Sequence, residues 1–320
     1  MQQILLVVTA IVLGLGFGAA TGGLTFSSLV CLVAGIFLVT PSLFKFQLSD
    51  LAIVKHEWPS IGRSLIINYL LMTGAALIIG YLSRDIGIAG ALLLLALLPG
   101  GGMVMMWIAT SKANVKLGFI IFKLNLLLLL PVTLIFAGFH DLAHSYFPAP
   151  DLSHANGFVG AGKTVKPFAP FMILIVIPFL LSRLARAFFP GVIRFVEKNQ
   201  PVISKATMFG IVFYLFALKT SQLLFTVTPL QMGVAVVATV AFYAVALALA
   251  EFMTPDSPEG RAVYWHIATR YITLALILAV FSVDTFGPTF ILPVMIAYFI
   301  QIGAAGFLRS RMLARPMVTA

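Results

Sequence analysis

The sequence predicts an all-α polytopic membrane protein of ten transmembrane helices. Hydrophobic residues make up 61% of the chain and charged residues only 9%, where soluble domains carry about 25% charged, and mean hydropathy is +1.09. The apolar residues gather in stretches of about 20, the length at which a helix crosses a hydrocarbon core. The net charge of +10 comes from lysines and arginines set in short connections between those stretches. That placement is a topology signal and not a nucleic-acid footprint.

In order, the spans fall near residues 3–20, 25–44, 63–82, 86–111, 116–137, 168–188, 206–226, 229–251, 261–282 and 287–308. The first reads as a span and not a signal peptide, because Met1-Gln2-Gln3 supplies no positive n-region. Its Gly14, Gly16 and Gly18 are small residues of the kind that let membrane helices approach closely. The second carries the lone cysteine, Cys31, which excludes an intramolecular disulfide and most thiolate metal sites.

The fourth span is interrupted at Pro99-Gly100-Gly101-Gly102. Backbone that leaves the helix at bilayer depth needs partners from protein or a water-filled cavity, so this break marks a ligand path. Residues 139–167 form the longest connection and leave five spans on each side: a first unit, 1–138, and a second, 168–312, followed by a tail, 313–320. Five is odd, so a duplicated five-helix unit has inverted topology. The counterpart of the broken fourth span is then the ninth, which carries the polar patch Ala268-Thr269-Arg270-Tyr271. Connections after even-numbered spans hold fourteen basic residues from Lys45 to Arg315, against Arg84, Lys163 and Lys166 after odd-numbered ones. The excess puts both termini in the cytoplasm, the 139–167 connection outside, and the chain in a cell (inner or plasma) membrane.

Around the break, Pro99-Gly100-Gly101 followed by Ser111-Lys112-Ala113-Asn114-Val115 resembles the fourth-helix signature of the bile acid/sodium symporter family, relatives of the arsenite efflux and auxin-efflux-like carriers. Weaker matches run through Val33 to Phe37, Val54 to Pro59, Leu274-Ala275 and Phe286-Gly287-Pro288. The resemblance implies two inverted five-helix repeats whose broken helices four and nine cross, with substrate bound beside the crossing and one bundle moving against the other. It also places the family's sodium ligands here on Val104, Met105, Gly118, Phe122, His266, Arg270 and Tyr271. Side chains of valine, methionine, glycine and phenylalanine give sodium no hard oxygen, and a guanidinium keeps its proton, so the sodium sites look dismantled. The arsenite carriers' cysteine falls near Gly100.

An ionisable residue in mid-membrane marks a site by default. Arg270 reads either as the counter-charge for an anionic substrate or as a donor to carbonyls freed by the break. His266, one turn earlier on the same face, either carries a proton or bonds within the bundle. Lys123, Asn125 and Gln301 are further polar candidates, although Lys123 and Lys219 can also snorkel. Met103, Met105, Met106 and Trp107 form an apolar wall suited to an amphipathic anion, or ordinary packing. The candidate substrate-binding set is therefore Arg270, His266, Tyr271, Gly100, Gly101, Gly102, Met103, Met105, Lys123, Asn125 and Gln301.

Two motifs are set aside. Gly157 to Thr164 matches a phosphate-binding loop but lacks its strand and helix, with Pro167 close behind. His140, Asp141, His144 and His154 lack the spacing of a known metal site. Glu251 reads as interfacial, and no nucleophile and base are paired for catalysis. The expectation is a secondary transporter of small organic anions, not an enzyme, without cofactor, metal or nucleotide and not sodium-coupled. The alternatives are a sodium-dependent symporter of bile-acid-like anions and a transporter-like receptor that binds without flux; against the receptor, only Arg309 to Ala320 follow the last span.

Overall fold

The computed structural model describes residues 2–25, 27–44, 54, 57–101, 103–143, 145–147, 168–219, 221 and 227–314. Among these the regular structure is helical, with two isolated bridges, Leu24 to Leu218 and Pro99 to Arg270. We number the main helices α1 (Gln2–Thr21), α2 (Ser28–Phe44), α3 (Trp58–Ser83), α4 (Ile86–Leu97), α5 (Val104–Thr110) and α6 (Val115–Ala143). Then follow α7 (Phe168–Phe188), α8 (Pro190–Ala217), α9 (Pro229–Met253), α10 (Pro258–Ala268), α11 (Ile272–Phe286) and α12 (Ile291–Ala314).

Local chemistry sets several of these boundaries. Arg84 closes α3 in the left-handed region at φ 54°, and Asp85 then starts α4 by accepting from the Ile88 amide at 3.0 Å. The α9 start is a capping box between Thr228 and Gln231 with Pro229 in the first turn. Ser257 caps α10, accepting from Gly260 N at 3.1 Å. Within α3, residues Ile66–Leu71 form a π-helical turn, a widening frequent at functional sites.

Three segments, Trp58–Ser83, Pro229–Met253 and Pro288–Ala314, are each long and apolar enough to cross a membrane among the described residues. Val176–Phe188 and Pro190–Val196 meet that test together across a 115° bend. The outside is apolar as well, with Leu5, Leu29, Ile78, Leu82, Leu230 and Phe252 exposed. A large apolar exterior with a packed interior is what a lipid-facing helical protein presents.

The helices divide into two groups. α1 lies along α8, and α2 along α7 and α8. The remaining eight pack mainly among themselves, α4 against α3, α11 and α12, and α10 against α6 and α9. Gly14 lets α1 approach α8, since a Cβ there would sit 2.6 Å from the Phe213 carbonyl oxygen. Gly16 meets nothing within 4 Å and has no such role.

Several boundaries differ from the sequence reading. The third span begins earlier, at Trp58, and the fifth runs to Ala143, past the 138 boundary of the first unit. The sequence places the seventh at 206–226, whereas its helix is Pro190–Ala217. Arg194, Glu197, Lys198 and Asn199 lie in its early turns, and polar residues end a hydropathy window without ending a helix. α12 continues to Ala314, beyond the 313 boundary; the rest of the tail and most of 139–167 lie outside the described residues.

Asp85 Oδ1 also accepts from Thr289 Oγ1 at 2.7 Å, joining the start of α4 to the turn before α12. Asp85→Ala is expected to cost about 1–2 kcal/mol through loss of the cap and this bond, read as a lower unfolding midpoint in detergent. Asp85→Asn, which keeps an accepting oxygen, should recover most of it.

Candidate functional site

Two helices break at the centre of the molecule, and the breaks meet. Proline disfavours helical backbone in the residue before it, and Leu98, preceding Pro99, leaves the helix at φ −116° and ψ 64°. Gly100 at φ 71° and Gly101 at φ 142° carry the chain through conformations side chains avoid. The chain resumes as α5 after Met103, with Val104 N donating to Gly101 O at 3.0 Å. Opposite, α10 stops at Ala268 and α11 starts at Ile272 with no proline or glycine between.

The two unwound strands pair antiparallel. Gly100 N donates to Thr269 O at 2.9 Å, and Tyr271 N to Leu98 O at 2.8 Å. Each break therefore satisfies backbone groups of the other, as buried polar backbone requires. The glycines are sterically required: a Cβ on Gly100 would lie 2.6 Å from His266 Nδ1, and one on Gly101 2.9 Å from Tyr271 Cα.

Arg270 sits in the middle, 1% exposed. Its Nη1 donates to Asn68 Oδ1 at 2.8 Å and to Ala96 O at 3.4 Å, and its Nη2 to Ile267 O at 3.0 Å. Ala96 and Ile267 belong to the last turns of α4 and α10, whose carbonyls have no intrahelical partner. The guanidinium thus occupies the negative ends of two helices, each equivalent to about half an elementary charge. Of the two roles the sequence allowed, donation to freed carbonyls is the one this conformation displays. The guanidinium carbon also stands 5.5 Å from the Phe242 ring centroid.

The other candidates separate. Gln301 braces the Arg270 backbone, accepting from its N at 2.6 Å and donating to its O at 3.2 Å, while Tyr243 donates to the same amide oxygen at 3.1 Å. Asn125 donates to Pro99 O at 3.4 Å and accepts from the Tyr69 hydroxyl at 3.3 Å. His266 Nε2 lies 2.9 Å from Gly118 O; a carbonyl only accepts, so Nε2 carries the hydrogen. Its Nδ1, buried beside Gly100, has no hydrogen-bond partner among the described residues. Tyr271 tilts against Phe122 at 6.4 Å, and with Asn125 and Pro99 it lines a small space of about 10 Å³, room for about one water.

Three expectations are not met here. The Lys123 side chain is buried and does not snorkel, its Nζ 4.3 Å above the Phe119 ring. Lys219 falls beyond the end of α8, where its N donates to Leu24 O. Met103, Met105 and Met106 pack against the core, and Trp107 stacks on Trp265 at 5.6 Å, so they form packing and no open wall. Gly102, the 157–164 motif, and the His140, Asp141, His144 and His154 side chains lie outside the described residues.

Asn68, Tyr69, Phe242 and Tyr243 were absent from the sequence-based set. Asn68 had a signal, a lone amide in the third apolar span, and it sits on the π-helical turn.

A polar clasp closes each end of the broken pair. At one end Arg261, 2% exposed, pairs with Asp256 at 2.7 Å and donates to Ser111 O at 3.3 Å, while Trp265 Nε1 donates to Ser111 Oγ at 2.8 Å. Asn114 donates to Glu259 Oε1 at 3.0 Å. At the other end stands the Asp85–Thr289 bond. The Asn114 amide holds the Glu259 carboxyl below its ordinary range. A depressed carboxylate adds stability that is complete above the unfolded value of about 4.3 and is lost as pH falls through the folded one. Acidification should therefore lower the unfolding midpoint, and Glu259→Gln should remove that increment of the pH dependence.

No protein-family model matches the chain, and no curated protein matches it. Fold and site define a helical protein with apolar helices of membrane-crossing length and a pair of broken helices joined at a buried arginine.

Proposed function

We propose that the protein is a secondary transporter of small organic anions that works by alternating access without sodium. The observation that carries this reading is the Arg270 guanidinium bonded to Ala96 O and Ile267 O. In discontinuous transport helices, carbonyls at half-helix C-terminal ends coordinate the coupling cation. Here a tethered cation holds that place. The opposite half-helix ends, the N-termini of α5 and α11, begin at the same crossing, and their positive dipoles favour an anion. With its negative ends neutralised, the crossing keeps a positive field.

Ten spans, arranged as two inverted five-helix repeats with both termini cytoplasmic, are part of this proposal, as is kinship with the bile acid/sodium symporter family. Reciprocal packing supports the repeat. α1 lies on α8 as α2 lies on α7, and α4 meets α12 as α10 meets α6. The two clasps are likewise reciprocal, each joining the start of a broken pair to the segment after the other pair.

The test is tracer counterflow in liposomes loaded with carboxylates, sulfonates or sterol acids, in sodium or choline buffer at two pH values. The expected result is uptake of at least one anion at equal rates in both cations. Absence of all counterflow, or strict sodium dependence, would sink the proposal; binding without flux would favour a receptor.

A further inference from the structure

A groove of about 590 Å³, apart from the crossing, runs between α3, α4 and α6. Ala89 and Leu93 form its buried floor. Leu77, Ile135, Leu142 and Tyr146 line it too and are exposed, so it opens sideways onto the apolar exterior. Along α3 it extends from Thr73 to Tyr81, about 12 Å at 1.5 Å per residue. Half of a hydrocarbon core of about 30 Å is one leaflet, so groove and leaflet have similar depths.

The outer end carries headgroup-level chemistry. Tyr81 stands edge-on to Phe147 at 6.4 Å, and Tyr146 lies beside it in the lining. Tyrosines of this kind sit where hydrocarbon gives way to headgroups. Three residues beyond Tyr81, exposed Arg84 caps α3, its N donating to Tyr81 O at 3.2 Å. The neighbouring Asp85 is already engaged by Ile88 N and Thr289. At the inner end the groove is lined by Thr73.

We propose that this groove is a phospholipid site in which one acyl chain of the adjacent leaflet lies against α3, α4 and α6 and the phosphate sits at Arg84. The depth fits a chain, the tyrosines fit the ester level, and the arginine complements an anionic headgroup. The site rests on the membrane setting alone and not on the transport reading.

Gly138 lines the groove, and a Cβ added there meets nothing within 4 Å. Gly138→Phe therefore fills the space without disturbing the fold, and Ile135→Trp fills it from a second exposed position. The experiment is native mass spectrometry of delipidated full-length protein titrated with palmitoyl-oleoyl phosphatidylglycerol or the matching phosphatidylethanolamine. Wild type should hold one lipid per chain roughly tenfold more tightly than any further lipid, and both filling variants should lose that first lipid. Wild type should prefer the anionic phosphatidylglycerol over the zwitterionic phosphatidylethanolamine, and Arg84→Gln should bind the two alike, more weakly than wild type binds phosphatidylglycerol. A graded, site-free binding pattern in wild type, or full retention of the first lipid by both fillers, would overturn the proposal. So would a dimer that the fillers abolish, because the groove would then hold a second copy.

Discussion

Replacing Arg270 by glutamine is expected to abolish anion counterflow and to destabilise the protein by about 2–4 kcal/mol, the cost of leaving buried acceptors unpaired after loss of a charged donor. The acceptors are Asn68 Oδ1, Ala96 O and Ile267 O. Glutamine cannot span two helix ends and brings no charge. Arg270→Lys restores charge to one end only, because an ammonium lacks the planar fork that serves both. Thermal unfolding in detergent with sodium or choline chloride gives a sharper check. Arg270→Ala exposes carbonyl oxygens at two negative helix ends, so sodium should raise its midpoint and leave wild type unmoved. If Arg270→Gln keeps its stability and its counterflow, the tethered-cation account is wrong.

The second large effect is at Gly101. Gly101→Ala should cost about 3 kcal/mol, combining the strain of a side chain at φ 142° with the clash of its Cβ against the Tyr271 backbone. Backbone cannot swing aside as a side-chain tip can. Gly100→Ala should cost somewhat less, since its obstacle is the His266 ring and its φ of 71° lies in the left-handed region. Unfolding midpoints of both variants, compared with Gly138→Ala as a helix-interior control, check the ranking.

The break at Pro99 was legible because proline and glycine announce it chemically. The break at Thr269 was not legible in the same way: Ala268-Thr269-Arg270-Tyr271 contains no helix breaker. It was reached indirectly, as the inverted counterpart of the fourth span, through the family resemblance and from an arginine at mid-span, and pairing with the Pro99 strand holds it open. The amide that receives Arg270 was hidden, because Asn68 lies 202 residues away and no spacing rule reaches that far. For Lys123 the sequence left escape to the interface open as one alternative, and the side chain is instead buried with its Nζ over the Phe119 ring. The sequence foresaw neither the groove beside α3 nor the clasp at Glu259, since both arise only where separate helices meet.

The bridge between Pro99 and Arg270 has a kinematic consequence. Two backbone hydrogen bonds, with Gln301 of α12 gripping the backbone N and O of Arg270, act as a rivet through the middle of both broken rods. Rods joined in this way are expected to move together, with α4, α5, α10 and α11 translating and rotating as one piece. The freedom that remains lies along the seam where α1, α2, α7 and α8 meet the other helices, chiefly α6 against α7 and α11 against α2 and α8. Probes placed across that seam should change separation, and probes placed across the rivet should keep theirs.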